Sequence, residues 1–149
     1  MQKGKVLALD YGKKRIGLAS GDFSLRIASA QGVIESKNLS FAISKILDFC
    51  KKWEVVLIVI GLPMSMNDRE SEMSKNARYF EGKLKEAFYC SKDVVLNKME
   101  IKLFDERLSS FEADGLMSSA GKTSYDKKEY RDSYAAQIIL QRFFDSLGK

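Results

Sequence analysis

The chain has 149 residues, 45% of them apolar, 30% charged and 11% aromatic, proportions that suit one globular domain over residues 1–149 with a single core. Lys+Arg 25 against Asp+Glu 20 leaves a net charge of +5, so a polyanion is a suitable partner. Histidine is absent, which excludes imidazole bases, His-held zinc and Ser-His-Asp triads; acid-base or metal chemistry must rest on carboxylates, Lys, Tyr or Cys.

Met1 to Lys5 is short and polar and leads directly into an apolar run, so no signal peptide is expected. Lys5 to Asp10 reads as a buried strand ending on a carboxylate. Tyr11-Gly12-Lys13-Lys14-Arg15 is a basic turn, and Ile16 to Gly21 reads as a second strand, making the pair a hairpin. A third strand is expected over Ala30 to Glu35. From Leu39 the apolar period becomes helical, with Leu39, Ile43, Ile46, Leu47 and Cys50 on one side of a helix ending near Trp53. Val55 to Ile60 is an unbroken apolar run suited to a central strand covered on both faces. It is also the longest such run and falls far short of a membrane span, so a soluble cytoplasmic protein without membrane contact is expected.

Met73, Ala77, Phe80, Leu84 and Phe88 define a second long helix, and Met99 to Phe104 is another strand, running into Asp105-Glu106-Arg107. Ser109 and Glu112 form a capping box that opens a short helix toward Met117. Ser118 to Lys128 is small, polar and basic, a candidate mobile loop. The last helix is expected from about Lys128 to Leu147, with Ala135, Ala136, Ile139, Leu140, Phe143 and Leu147 inward. Cys50 and Cys90 lack metal spacing and read as reduced core residues. The order of elements implies an α/β domain with an antiparallel hairpin edge and parallel crossovers.

Three acidic positions stand where chemistry could sit. Asp10 closes the first strand, where α/β sheets bind ligands, although Asp-Tyr-Gly also suits a plain tight turn. Asp105 and Glu106 close a later strand; alternation puts Asp105 on the Leu103 side and Glu106 on the Phe104 side, which does not choose between them. Asp132 falls within the arc of Ala135, Ala136, Ile139 and Phe143, a costly place for an ionised group unless it is paired, ligated or at a cleft edge. Oxygen donors without histidine suit Mg²⁺ or Mn²⁺, ions that activate water for phosphodiester hydrolysis without a protein base. Lys13, Lys14, Arg15, Arg69, Arg107, Lys122, Lys127 and Lys128 fall at expected loops beside these carboxylates, a pattern suited to phosphate contacts. Tyr11, Tyr125 and Tyr130 are candidates for base stacking or for ordinary packing.

Four segments, Leu9-Asp10-Tyr11-Gly12-Lys13-Lys14-Arg15-Ile16-Gly17, Val59-Ile60-Gly61-Leu62-Pro63, Asp105-Glu106-Arg107-Leu108-Ser109 and Asp132 to Gln141, resemble the successive motifs of the YqgF family, the Holliday-junction-resolvase-like proteins and pre-16S rRNA nucleases. The resemblance covers nearly the whole chain. It implies an RNase H-like fold with a five-stranded mixed sheet, three antiparallel strands plus two parallel, flanked by helices. It also implies a catalytic and metal-holding cluster of Asp10, Glu106 and Asp132, with Asp105 as a further candidate. The expected activity is metal-dependent cleavage of structured RNA at the 5′ end of pre-16S rRNA. Rival readings are a resolvase of four-way DNA junctions and a non-catalytic nucleic-acid-binding factor; a two-lobed sugar-kinase-like ATPase is excluded by length. The outer side of the last helix, with Arg131, Gln141, Arg142 and Asp145, reads as solvated, so a monomer or weak homodimer is expected.

Overall fold

The computed structural model describes residues 3–62, 72–105 and 124–148. In chain order these form β1 (Lys5–Asp10), β2 (Arg15–Asp22), β3 (Ser29–Glu35), α1 (Leu39–Trp53), β4 (Val55–Leu62), α2 (Glu72–Tyr89), a 3₁₀ turn (Leu96–Lys98), β5 (Glu100–Asp105) and α3 (Ser124–Ser146). The strands make one sheet in the order β3-β2-β1-β4-β5. β1 and β2 pair antiparallel, as do β2 and β3, whereas β4 runs parallel to both β1 and β5. This is the expected mixed sheet.

β1 lies at the centre, and Val6, Leu7, Ala8 and Leu9 are fully buried because both faces are covered. Leu7 and Leu9 join Ile58, Ile60, Ile46, Phe80 and Leu84 beneath α1 and α2. Val6 and Ala8 join Ala19, Val59, Ala136, Ile139, Leu140 and Phe144 beneath α3. Each fully buried Ile, Leu or Phe on α3 contributes about 1.5–3 kcal/mol to holding that layer. α1 begins where the Asn38 side chain accepts from the Phe41 N–H at 3.0 Å and ends at Glu54, left-handed at φ 54.

β2 offers α3 an unusually low surface. Gly17, Ala19 and Gly21 share the face of β2 that meets α3, and Ala135 and Ala136 are the buried helix residues opposite. A Cβ on Gly21 would lie 2.7 Å from Phe144 Cε2 and 2.6 Å from the Ile27 carbonyl oxygen. Small residues on both partners bring the helix close to the strand.

Four expectations need correction. α3 starts at Ser124, so Ser124 to Lys128 belong to the helix rather than to a loop, and the backbone of Lys127 and Lys128 is helical. The apolar period begins only near Ala135, and the polar turns before it gave no periodic signal. Cys50 is buried but Cys90 is exposed, since it follows the end of α2 while Phe80, Leu84 and Phe88 take the inward positions. Val56, at the β4 entrance, is exposed where β1 and β4 shift register. Gln141 does not simply face solvent: its side chain accepts from the Ala28 N–H at 3.0 Å and donates to the Arg26 carbonyl at 3.0 Å. The expected Ser109–Glu112 helix start, Ser118 to Thr123, Arg69, Arg107 and Lys122 lie outside the described residues, as do the side chains of Tyr125, Tyr130 and Arg131.

Candidate functional site

The end of β1 next to β2 carries the site. Asp10 pairs in register with Gly17 across the antiparallel ladder. Alternation along β1 puts Asp10 on the Val6 and Ala8 face, the one covered by α3. On that face a Cβ at Gly17 would stand 2.0 Å from the Asp132 carbonyl oxygen and 2.5 Å from its carbonyl carbon. The backbone of Asp132 therefore rests directly on Gly17, beside Asp10. A residue with any side chain at position 17 would lift the helix away. Both carboxylates are half-buried.

Two further residues fix Asp132. Arg15, two positions before Gly17 and so on the same face of β2, donates from Nε to Asp132 Oδ2 at 3.0 Å. Ser133 is 4% exposed and sits between strands: its Oγ accepts from the Gly32 N–H at 3.0 Å and donates to the Leu18 carbonyl at 3.2 Å. That position coincides with the register shift between Leu18 and Ala19 in the β2–β3 ladder. The bulge leaves a donor and an acceptor that the hydroxyl serves.

The basic turn after Asp10 is pinned rather than loose. The Ser36 hydroxyl donates to the Gly12 carbonyl at 2.6 Å, and the Ser36 N–H donates to the Lys14 carbonyl at 2.9 Å. Lys13 and Lys14 are exposed, with Lys13 Nζ 3.8 Å from Glu72. Tyr11 stacks on Phe80, ring centroids 4.6 Å apart, under the opposite layer, so its ring packs in the core.

Among the remaining candidates, Asp105 is exposed at the end of β5. Phe104 packs edge-on against Phe143 of α3 at 6.0 Å, whereas Leu103 packs into the layer under α1 and α2. Asp105 therefore shares the Leu103 face, away from Asp10 and Asp132. Glu106 lies outside the described residues. Among the described residues no three acidic or thiol side chains gather closely enough to hold a metal. The donors brought together, Asp10 and Asp132, are hard oxygens without nitrogen or sulfur ligands beside them, a set that fits Mg²⁺ or Mn²⁺. Gly17, Ser133 and Ser36 were missed from the sequence, where a Gly inside a strand and a Ser beside a core-facing Asp were the available signals.

Comparison with known proteins bears on the family and the fold. The family model RuvX, described as Holliday junction resolvase, matches residues 4–146. A protein of Thiobacillus denitrificans named "Putative pre-16S rRNA nuclease" is 35% identical over 143 residues, spanning 96% of this chain and 92% of the relative. One of the same name from Methylobacillus flagellatus is 33% identical over 146 residues, spanning 98% and 94%. Among solved structures, T. thermophilus RuvC in complex with Holliday junction substrate superposes with TM-score 0.57 at 13% identity, covering 97% of this chain and 95% of the other. Fowlpox virus resolvase, in its complex with Holliday junction DNA, gives 0.58 at 13% identity, covering 97% and 99%. The sheet and its helices have the RuvC-like RNase H fold.

Proposed function

On the premise that this chain belongs to the RuvX family, the YqgF family of the sequence motifs, we propose that it is a metal-dependent endonuclease, a single domain that cuts the 5′ end of pre-16S rRNA in the cytoplasm. The observation that carries the reading is that the backbone of Asp132 rests on Gly17, the register partner of Asp10. Glu106 is the third carboxylate of this reading, on the strength of the Asp105-Glu106-Arg107 motif alone. Bound by these oxygens, Mg²⁺ or Mn²⁺ supplies an activated water and compensates charge on the leaving oxygen of a phosphodiester. Asp10 and Asp132 would hold the ion from two elements, β1 and α3, whose backbones are fixed against β2.

Lys13 and Lys14, exposed on a turn that Ser36 pins, bind substrate phosphates and set their register. Arg107, Lys122, Lys127 and Lys128 join them in this reading as further phosphate contacts named from the sequence. No helix among the described residues is long and apolar enough to cross a membrane. RNA is preferred over DNA because the relatives spanning this chain are named for pre-16S rRNA. Likeness to resolvases bound to junctions keeps the four-way junction as the second reading. Symmetric resolution needs two sites on a two-fold dimer, whereas trimming one RNA end needs a monomer or weak dimer.

The test is cleavage of a 5′-extended 16S rRNA fragment and of a four-way DNA junction, each with Mg²⁺ or Mn²⁺ and with chelator. Asp10→Asn and Asp132→Asn are expected to lose more activity than the roughly 10–100-fold typical of an outer-shell partner while remaining folded. Robust cleavage by both variants excludes the site. A tight dimer making paired nicks promotes the junction reading.

A further inference from the structure

We propose that Arg15 is the resident counter-cation of Asp132: it holds that carboxylate, competes for it with a divalent cation, and thereby sets the affinity of the site for metal. The inference rests on the metal-site reading above and concerns a residue whose sequence context suggested only contact with substrate. Three cations follow one another in Lys13-Lys14-Arg15, but the structure separates them. Lys13 has a side chain 74% exposed, whereas Arg15 is 29% exposed and lies on the α3 side of β2.

Its Nε bonds Asp132 Oδ2 at 3.0 Å, and the Asp132 side chain is 27% exposed. This charge pair is therefore partly withdrawn from water, where screening is weaker than at a surface. A cation between strand and helix offsets the charge of a carboxylate held there. Arginine suits the task because its guanidinium stays charged at every relevant pH and sheds water more readily than an ammonium.

The same arrangement makes Arg15 a rival of the metal. A divalent ion that engages Asp132 meets a fixed positive charge already bonded to that carboxylate, so the two cations weaken each other's hold. Because the coupling is reciprocal, metal loading loosens the grip of Asp132 on Arg15. The guanidinium is then available to a phosphate oxygen of the substrate, for which it has the right geometry. Arg15 is thus a positioning residue in the empty protein and a phosphate contact in the loaded one.

Mn²⁺ titration of the full chain, followed by the electron paramagnetic resonance signal of the free ion, tests this without recourse to activity. Arg15→Gln keeps a hydrogen-bond donor but removes the charge, and is expected to tighten Mn²⁺ binding by roughly threefold to tenfold. Arg15→Lys restores the charge and is expected to bind close to wild type. In an Asp132→Asn background, Arg15→Gln should have no further effect. Melting in chelator and in Mn²⁺ supplies the second readout: Arg15→Gln gains more from the ion than wild type does. If Arg15→Gln leaves Mn²⁺ affinity unchanged or weakens it, while Asp10→Asn abolishes it, Arg15 is merely structural and the proposal falls with the site intact. If wild type and Arg15→Gln both fail to bind Mn²⁺, the site reading falls and the proposal with it.

Discussion

Replacing Gly17 by Ala tests the structural premise of the site independently of any activity. The added methyl would lie 2.0 Å from the Asp132 carbonyl oxygen, about 1.5 Å short of van der Waals contact. The obstacle is helix backbone, which has no rotamer to change, so α3 must move off β2 as a body or the strand must bend. A gap of about 0.5–1 Å already forfeits a quarter to a half of each contact, and α3 stakes Ala135, Ala136, Ile139, Leu140 and Phe144 on this face. The expected cost is about 3 kcal/mol, the upper end for overpacking. For a domain of this size that lowers Tm by roughly 6–12 °C, read by urea and thermal unfolding. The Arg15–Asp132 bond should break as well, and Mn²⁺ affinity should fall. Gly82→Ala is the control: it lies exposed within α2 with nothing within 4 Å of the added Cβ, and should stabilise by about 0.5–1 kcal/mol. If Gly17→Ala unfolds within about 0.5 kcal/mol of wild type, α3 does not rest on this glycine and the pairing of Asp10 with Asp132 must be abandoned.

Ser133→Ala should cost about 1–3 kcal/mol, because it strands the Gly32 N–H and the Leu18 carbonyl inside the protein; unchanged urea midpoints would show that the bulge finds other partners. The two thiols should differ sharply toward an aromatic disulfide reagent: exposed Cys90 reacts at once, and Cys50 only on unfolding. Burial pushes the Cys50 thiol from 9.0 up to about 12, so the stability tied to it is fully present below about pH 9 and is lost as pH rises toward 12. A native Cys50 that reacts as fast as Cys90 would contradict its burial on the inner face of α1.

What could be read from the sequence was whatever is encoded locally. The repeat of Leu39, Ile43, Ile46 and Cys50 located α1, and the apolar run from Val55 located β4. Asp132 stood out because an ionised residue on an apolar arc needs a reason, and Arg15, Gly17 and the nearby end of β1 provide it. Arg15 was legible only as a phosphate contact like its neighbours, since Lys13-Lys14-Arg15 has no local mark showing that its third member turns inward toward a residue 117 positions later. Gly17 looked like an ordinary small strand residue until the helix crossing it was in place. The face that Asp105 takes likewise depended on which layer α3 covers, and that is visible only in the contact of Phe104 with Phe143. The start of α3 was misjudged because its first turns are polar, and periodicity reports burial rather than helix.

The separation of 117 residues between Arg15 and Asp132 also bears on timing. A ribosome delivers β1 and β2 well before α3, and closing so long a loop is entropically expensive until the helix has a complete sheet to dock on. A nascent chain that has emerged through β5 owns Asp10 and the bare Gly17 floor but nothing to stand on it. The pairing of Arg15 with Asp132 therefore arrives as one of the last events of folding. Unfinished copies lack both the seat on Gly17 and the ion pair above it, so neither can form on a truncated chain.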